Sequence, residues 1–488
     1  MSFAAPVFLW YFLPAVLLVS WVMPQGARNG VLAASSLVFY AFGGKQFVLL
    51  LVAVMAVNFA AGLAIAAARA RPPGREAGRR PAVTAKGLLI ATVVADLLVI
   101  GFWKYLGFTS GIVHSVGRAL ALGDTRVLSL ALPIGISFFT FHHLSYVIDV
   151  YRGVRPPLRN PLTFTTYIAM FPQLIAGPIV RYHEIADQLE NQHHQRLADF
   201  ADGFPRFAWG LAKKVVIADS LAPLVAVAFA AEDPTWATAW VGAIAYAGQL
   251  YFDFSGYSDM AIGLGTMFGF RLPENFCRPY SAVSVTDFWR RWHMSLSRWF
   301  RDYLYVSLGG NRHGTARTYR NLVVVFLATG LWHGAAWTFV VWGAYHGALL
   351  IIERATGLAT VTGFVALRRA ATFLLVLVGW VVFRAESLSA AAKMLRAMLV
   401  PEHLLAPNAG LAPDLALLLT THRMVLLAIV LLTVLLPGTW VMGKQIDALG
   451  GTTLRRQLAA RAVALVGAPY AAVVAVAGTF SPFLYFRF

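Results

Sequence analysis

Cysteine and charge are both scarce in this chain. A single cysteine, Cys277, stands among 488 residues. That excludes an internal disulfide framework and any thiolate cluster for a metal. Its setting, Asn275-Phe276-Cys277-Arg278, offers no redox pair and reads as a structural thiol. Charged residues make up 13% of the chain and hydrophobic ones 59%, too little charge to cover a water-soluble fold of this length. Acidic residues are the scarcer sign, with 22 Asp and Glu against 40 Lys and Arg and a net charge of +18. Such an excess can signal nucleic acid, but these basic residues gather in short stretches between apolar runs. The positive-inside rule produces that pattern, and it suits an anionic cytoplasmic leaflet. The expected partner is therefore a lipid bilayer and not a nucleic acid.

Apolar runs able to span a bilayer recur from end to end, which predicts an all-α polytopic membrane protein. The first run, Pro6 to Met23, lacks a basic leader and is expected to be a span, not a cleaved signal. Spans are placed at 5–23, 29–43, 46–68, 87–107, 128–150, 207–230, 236–256, 318–336, 338–352, 371–384, 423–441 and 461–479. Several are short for the hydrocarbon core, so about 11–13 tilted, broken or re-entrant membrane segments are expected. Arg69, Arg71, Arg75, Arg79, Arg80 and Lys86 mark a cytoplasmic loop. Fixing it inside puts both termini outside and about 31 of the 40 Lys and Arg on the cytoplasmic side. No soluble domain boundary or internal repeat is visible, so residues 1–488 are read as one membrane domain. Its core covers about 90–380, with extra helices and an aromatic tail at about 385–488. Ser387 to Val400 predicts a surface amphipathic helix.

Missing motifs narrow the chemistry. There is no G-x-S-x-G elbow, P-loop, G-x-G-x-x-G fingerprint or H-E-x-x-H helix, and no metal site is expected. Histidine remains as the general base. The apolar run Asn321 to Ile352 is too long for one span and contains Gly330-Leu331-Trp332-His333-Gly334, then Trp337, Trp342, Tyr345 and His346. A histidine at membrane depth is costly and marks a functional site, or else a hydrogen bond between helices. The flanking glycines allow a helix break. On an ideal helix His346 does not share a face with His333. In Asp287 to Tyr303, Trp289, Trp292, Leu296, Trp299, Phe300 and Tyr303 form one helical stripe, with His293 at its edge facing the core. Asp287, Arg290, Arg291, Arg298 and Arg301 lie opposite. This helix suits an interfacial anchor or a face for phosphate-bearing ligands. His142 and His143 are expected to pack. Asp253 and Asp259, at membrane depth, are expected to hold a broken helix or pair with a basic group. His193 and His194 read as solvated loop residues.

These residues together resemble the membrane-bound O-acyltransferase family. Trp332-His333-Gly334, preceded by Trp292-His293, looks like its two-histidine core. A closer resemblance is to the membrane subunits that O-acetylate bacterial alginate, cellulose and peptidoglycan. It is carried by Pro133-Ile134-Gly135-Ile136-Ser137-Phe138, by Phe171 to Ile179, by Gln249 to Asp259, by Asp287 to Arg301 and by Leu308-Gly309-Gly310-Asn311-Arg312. The resemblance implies a ring of tilted helices around a funnel or tunnel in the bacterial inner membrane. It also implies His333 and His293 as catalytic residues; Trp332, Asp287, Arg290, Arg291, Arg298 and Asn311 are the candidate substrate contacts beside them. No permanently bound cofactor is implied; the acyl donor would be acetyl-CoA or an acyl-carrier thioester, and the acceptor a polysaccharide, alginate-like by similarity. Since the chain carries no serine-hydrolase-like domain, a separate periplasmic acetyltransferase of the SGNH type is implied as partner. Ser481 to Phe488 is similar to the aromatic tail of these subunits. In the expected reaction His333, at an ordinary pKa of about 6.5, deprotonates an acceptor hydroxyl while His293 positions donor or acceptor. A transporter with His333 in a proton relay, or a non-catalytic scaffold, stays open as an alternative.

Overall fold

A computed structural model describes residues 1–70, 84–121, 126–191, 195–400, 404–405, 409–435, 461–477 and 483–484. Most of the basic loop at 71–83, His193 and His194, and all of the tail except Phe483 and Leu484 lie outside the described residues. The regular structure among the described residues is all helical, with no strand. They group into two compact units, Met1–Gly203 with Ala261–Pro273, and Phe204–Met260 with Glu274–Phe488.

The first unit contains α1 (Leu13–Val22), α2 (Arg28–Gly44), α3 (Val48–Arg69), α4 (Ala85–Ile100), α5 (Leu106–Ala119), α6 (Ile136–Arg152), α7 (Pro161–Ala169) and α8 (Tyr182–Glu190). The stretch from α4 through α5 is helical without interruption and apolar enough to cross a membrane, as are 25–69. Apolar surface alone gives no preference between helices in lipid, so close approach and polar contacts hold them. Asn58 on α3 donates to the Asp96 carboxylate on α4 at 2.8 Å. Gly62 admits the Tyr146 ring of α6; a β-carbon there would sit 2.4 Å from it. The run expected to span from residue 128 becomes helical only at Ile136. Pro133 cannot donate a helix bond. Gly135 sits at φ 73°, and a β-carbon there would meet the Leu174 carbonyl at 2.6 Å. His142 and His143 are fully buried, against Tyr167 and against Phe139 and Phe164, in the packing role expected of them.

Helices α9 (Arg196–Ala212) and α11 (Trp236–Met267) supply residues to both units. The second unit also holds α10 (Asp219–Ala230), α12 (Val285–Arg291), α13 (Met294–Phe300), α14 (Thr315–His333), α15 (Trp337–Thr356), α16 (Val365–Arg384), α17 (Leu388–Leu399), α18 (Thr421–Leu435) and α19 (Ala468–Ala477). Helix α17 is the amphipathic helix expected at 387–400. Ser387 caps it by accepting from the Ala390 N–H, and Ala391, Met394, Ala397 and Met398 form its buried face.

Helix α11 runs unbroken past Asp253 and Asp259, so the broken-helix reading gives way to the pairing one. Arg206 and Lys213 both engage Asp259, the arginine at 2.6 Å, and Arg206 also reaches Glu274 at 2.9 Å. Lys214 lies 2.8 Å from Asp253 and 2.6 Å from Asp219. Each charge is thereby answered locally, the condition on which buried ions are tolerated. Lys214→Met is expected to lower the midpoint of thermal unfolding in detergent, because breaking a buried pair costs about 3–5 kcal/mol. Adding Asp253→Leu should recover much of that loss. A single variant as stable as the wild-type protein would show that the pairing carries no stability.

Candidate active site

The site lies in the second unit, where a helical hairpin ends on a histidine. Helices α14 and α15 pack antiparallel, and two glycines set how closely. A β-carbon on Gly330 would lie 2.3 Å from the Phe339 carbonyl oxygen, and one on Gly343 would lie 2.4 Å from that of Phe326. The hairpin turns at Gly334, which is extended at φ −162° and lies under the Phe339 ring. The long apolar run is thus broken next to His333, as the flanking glycines predict.

His333 is buried at the last position of α14. Its ring meets the edges of Trp342 at 5.1 Å and Phe383 at 5.2 Å, and Trp332 at 5.0 Å. His293 lies 6.5 Å away between ring centroids. Trp332 touches both histidines, standing 5.9 Å from His293. Phe254 of α11 closes the other side of His293, edge-on at 4.7 Å. The two histidines named from the sequence are therefore neighbours, although they are 40 residues apart in the chain.

One expectation is corrected here. The stripe from Asp287 to Tyr303 is not one helix: α12 stops at Arg291, and α13 starts at Met294 after His293 at φ 44°. A positive φ in a residue with a β-carbon is strained and persists only where contacts impose it. The Cys277 N–H donates to the Arg291 carbonyl and the Met294 N–H to the Asn275 carbonyl, both at 2.9 Å. Those bonds tie the break to the chain at 275–277. The division of faces holds in part, with Asp287, Arg291 and Arg298 half-buried. Trp289, Trp292, His293, Leu296, Trp299, Phe300 and Tyr303 are buried, while Arg290 and Arg301 are exposed.

The other candidate contacts separate into tied and open groups. Asp287 holds Arg291 at 2.8 Å, and Arg298 donates to the Glu274 carbonyl at 3.1 Å. Glu353 of α15 caps the start of α12, accepting from the N–H groups of Val285 and Thr286. Arg290 and Arg301 border an open-sided cavity of about 330 Å³ that Trp289, Phe300, Phe326 and Thr329 also line. Thr329 is one turn before His333 on α14. Asn311 is exposed in the turn before α14.

His346 also moves from its expected relation to His333. The break puts it on a different helix, so the rotation argument for one continuous helix does not apply. It is fully buried, one ring removed: Trp342 lies 5.0 Å from it and 5.1 Å from His333. The sequence reading missed Asn275, Arg206, Lys213 and Lys214. The lysine pair inside an apolar run was a usable signal; the role of Asn275 was not visible. Of the tail, Phe483 is buried and stacks on Tyr257 at 4.4 Å, and the Leu484 N–H donates to Asp253 at 2.9 Å. Among the described residues no group of three or more His, Cys, Asp or Glu is placed to hold a metal ion.

Comparison with known proteins places this arrangement. Residues 154–389 match the model of the membrane-bound O-acyltransferase family. The chain is 49% identical over 399 residues to the probable alginate O-acetylase of Azotobacter vinelandii, covering 82% of this chain and 78% of that protein. It is 37% identical over 432 residues to the peptidoglycan O-acetyltransferase of Helicobacter pylori, covering 81% and 79%. To the teichoic acid D-alanyltransferase of Bacillus subtilis it is 29% identical over 232 residues, covering 44% and 58%. The chain is a polytopic membrane acyltransferase and belongs to the membrane-bound O-acyltransferase family.

Proposed function

We propose that this acyltransferase takes an acetyl group from a thioester donor on the cytoplasmic side of the inner membrane and delivers it for O-acetylation of an exported polysaccharide. The observation that carries the proposal is the pair of buried histidines, 6.5 Å apart at a helix break, in a chain of this family. Similarity to proteins named alginate O-acetylases favours an alginate-like acceptor. In the proposed step His333 takes the proton of an acceptor hydroxyl as its oxygen attacks the thioester carbonyl carbon. The carbon–sulfur bond breaks, and the thiolate leaving group recovers the proton from the imidazolium. Base catalysis of this kind contributes roughly 10²–10⁴ in rate.

The cavity beside α14 suits the donor, acetyl-CoA or an acyl-carrier thioester. Its aromatic lining accepts an apolar arm, and Arg290 and Arg301 at its border match phosphate oxygens. The charge asymmetry of the loops supports a periplasmic position for both termini. A separate periplasmic acetyltransferase of the SGNH type would then complete the transfer to polymer. The seat of Phe483 beside Tyr257 and Phe254 supports a part for the tail, because Phe254 also touches His293.

The test is gene deletion, complemented with the wild-type protein, His333→Ala or His293→Ala at matched membrane levels. NMR then measures ester-linked acetate on purified envelope polysaccharides. Acetate should vanish on deletion, return with the wild-type protein and stay absent with His333→Ala. Full restoration by His333→Ala would move the reading to transport or scaffolding. Removal of residues 483–488 should abolish acceptor acetylation without loss of protein from the membrane, and unaltered acetate would exclude a role for the tail. In membranes supplied with acetyl-CoA, Arg290→Gln combined with Arg301→Gln should raise the half-saturating donor concentration by about tenfold. An unchanged value would detach the cavity from donor binding.

A further inference from the structure

Asn275 lies outside any helix, between Pro273 and Pro279, and is fully buried. Its Oδ1 meets the Ser295 backbone N–H at 3.2 Å, the Ser295 hydroxyl at 2.8 Å and Nδ1 of His293 at 3.1 Å. Its Nδ2 donates to the Ser258 hydroxyl of α11 at 3.1 Å. The orientation of the amide follows from what each group can do. A backbone N–H only donates, so the atom facing Ser295 N is the amide oxygen. An amide oxygen only accepts, so the ring nitrogen facing that same oxygen carries a proton. In the neutral imidazole the lone pair is then on Nε2.

We propose that Asn275 is a positioning residue that fixes His293 as its Nδ1–H tautomer, so that Nε2 accepts a hydrogen bond from a substrate O–H or N–H group. This rests on the placement of His293 in the reaction site made above. It gives that histidine a role distinct from that of His333. A hydroxyl has one proton, and the attacking hydroxyl gives it to His333. Nε2 of His293 therefore engages a second donor group on the bound substrates. A lone-pair nitrogen cannot donate to the thioester carbonyl, so His293 in this form recognises substrate and does not stabilise the oxyanion. The backbone ties at 275–277 and the positive φ of His293 serve the same end, since they leave the ring little freedom to turn away from Asn275.

The test uses the full chain with ¹⁵N-labelled histidine, reconstituted in lipid bilayers and studied by solid-state NMR. The His293 signals are assigned by their loss in His293→Ala. The wild-type protein should show a protonated Nδ1 and an unprotonated Nε2. Asn275→Ala should bring in the Nε2–H form and lower polysaccharide acetylation on the order of 10- to 100-fold, the loss seen when a metal-bound histidine is deprived of its orienting partner. Asn275→Asp keeps an acceptor oxygen, so it should restore the Nδ1–H form and most of the acetylation lost in Asn275→Ala. It also guards against an alanine variant that fails to fold. A wild-type spectrum with protonated Nε2, or Asn275→Ala with unchanged tautomer and acetylation, would overturn the proposal. Full acetylation by His293→Ala would instead remove His293 from the reaction, a separate failure that the tautomer measurement does not share.

Discussion

The approach of α14 to α15 is set by what is missing at Gly330 and Gly343, and much of the site depends on it. Each glycine lies against a backbone carbonyl of the partner helix, at a separation that a β-carbon would violate. With the helices this close, Trp342 is carried onto the His333 ring, and Phe339 folds over Gly334. Helix α16 then supplies Trp380 and Phe383 to the same wall. In lipid, where apolar faces gain little from meeting each other, such close contact is a main source of helix affinity. The glycines therefore fix both the stability of the hairpin and the direction in which the terminal histidine faces.

Helix α11 brings a second constraint to the same place. Its acidic residues are held by Arg206, Lys213 and Lys214, and the turns around them present Phe254, Tyr257 and Ser258. Phe254 packs on His293, Ser258 receives Asn275, and Tyr257 carries Phe483. Rotation of α11 by one residue would separate the carboxylates from their cations and withdraw all three side chains together. Buried ion pairs add less stability than apolar packing would, but a wrong register leaves a charge unanswered at high cost. That asymmetry lets the network define the position of the wall against which His293 rests.

Much of this was legible in the sequence where a residue's cost is intrinsic. His333 stood out because a titratable ring inside an apolar run needs a reason, and its glycines signalled the break. The burial of the tryptophans in 287–303 followed from spacing alone. What spacing could not show was the interruption at His293, because a left-handed residue between two helical turns is imposed by bonds from Asn275 and Cys277. Those partners sit 18 and 16 residues earlier in a non-helical stretch, and no local propensity encodes them. The same reason hid the position of His346. A period of 3.6 residues applies only along one continuous helix, and Gly334 ends it. Lys213 and Lys214 differ, since two lysines in a membrane run call for acidic partners, and Asp253 and Asp259 were already in view.

Stiff rings make these two constraints act on chemistry. Trp, Phe and His each have few rotamers, and around His333 they pack at centroid distances of 5.0–5.2 Å, so that in the proposed reaction the imidazole is held before substrate arrives. Orientation set in advance lowers the entropy lost in reaching the transition state. Water excluded by the same rings strengthens any hydrogen bond made inside. Such a site repels a phosphate-bearing donor unless countercharge is kept at its edge, because a desolvated anion has no answer among aromatic rings. Arg290 and Arg301 lie at that edge, while His333 packs on Trp342, which in turn packs on Trp289 of the cavity wall. In the proposed reaction the phosphate of a donor stays with the arginines in solvent, and only its neutral thioester end needs to enter the aromatic interior.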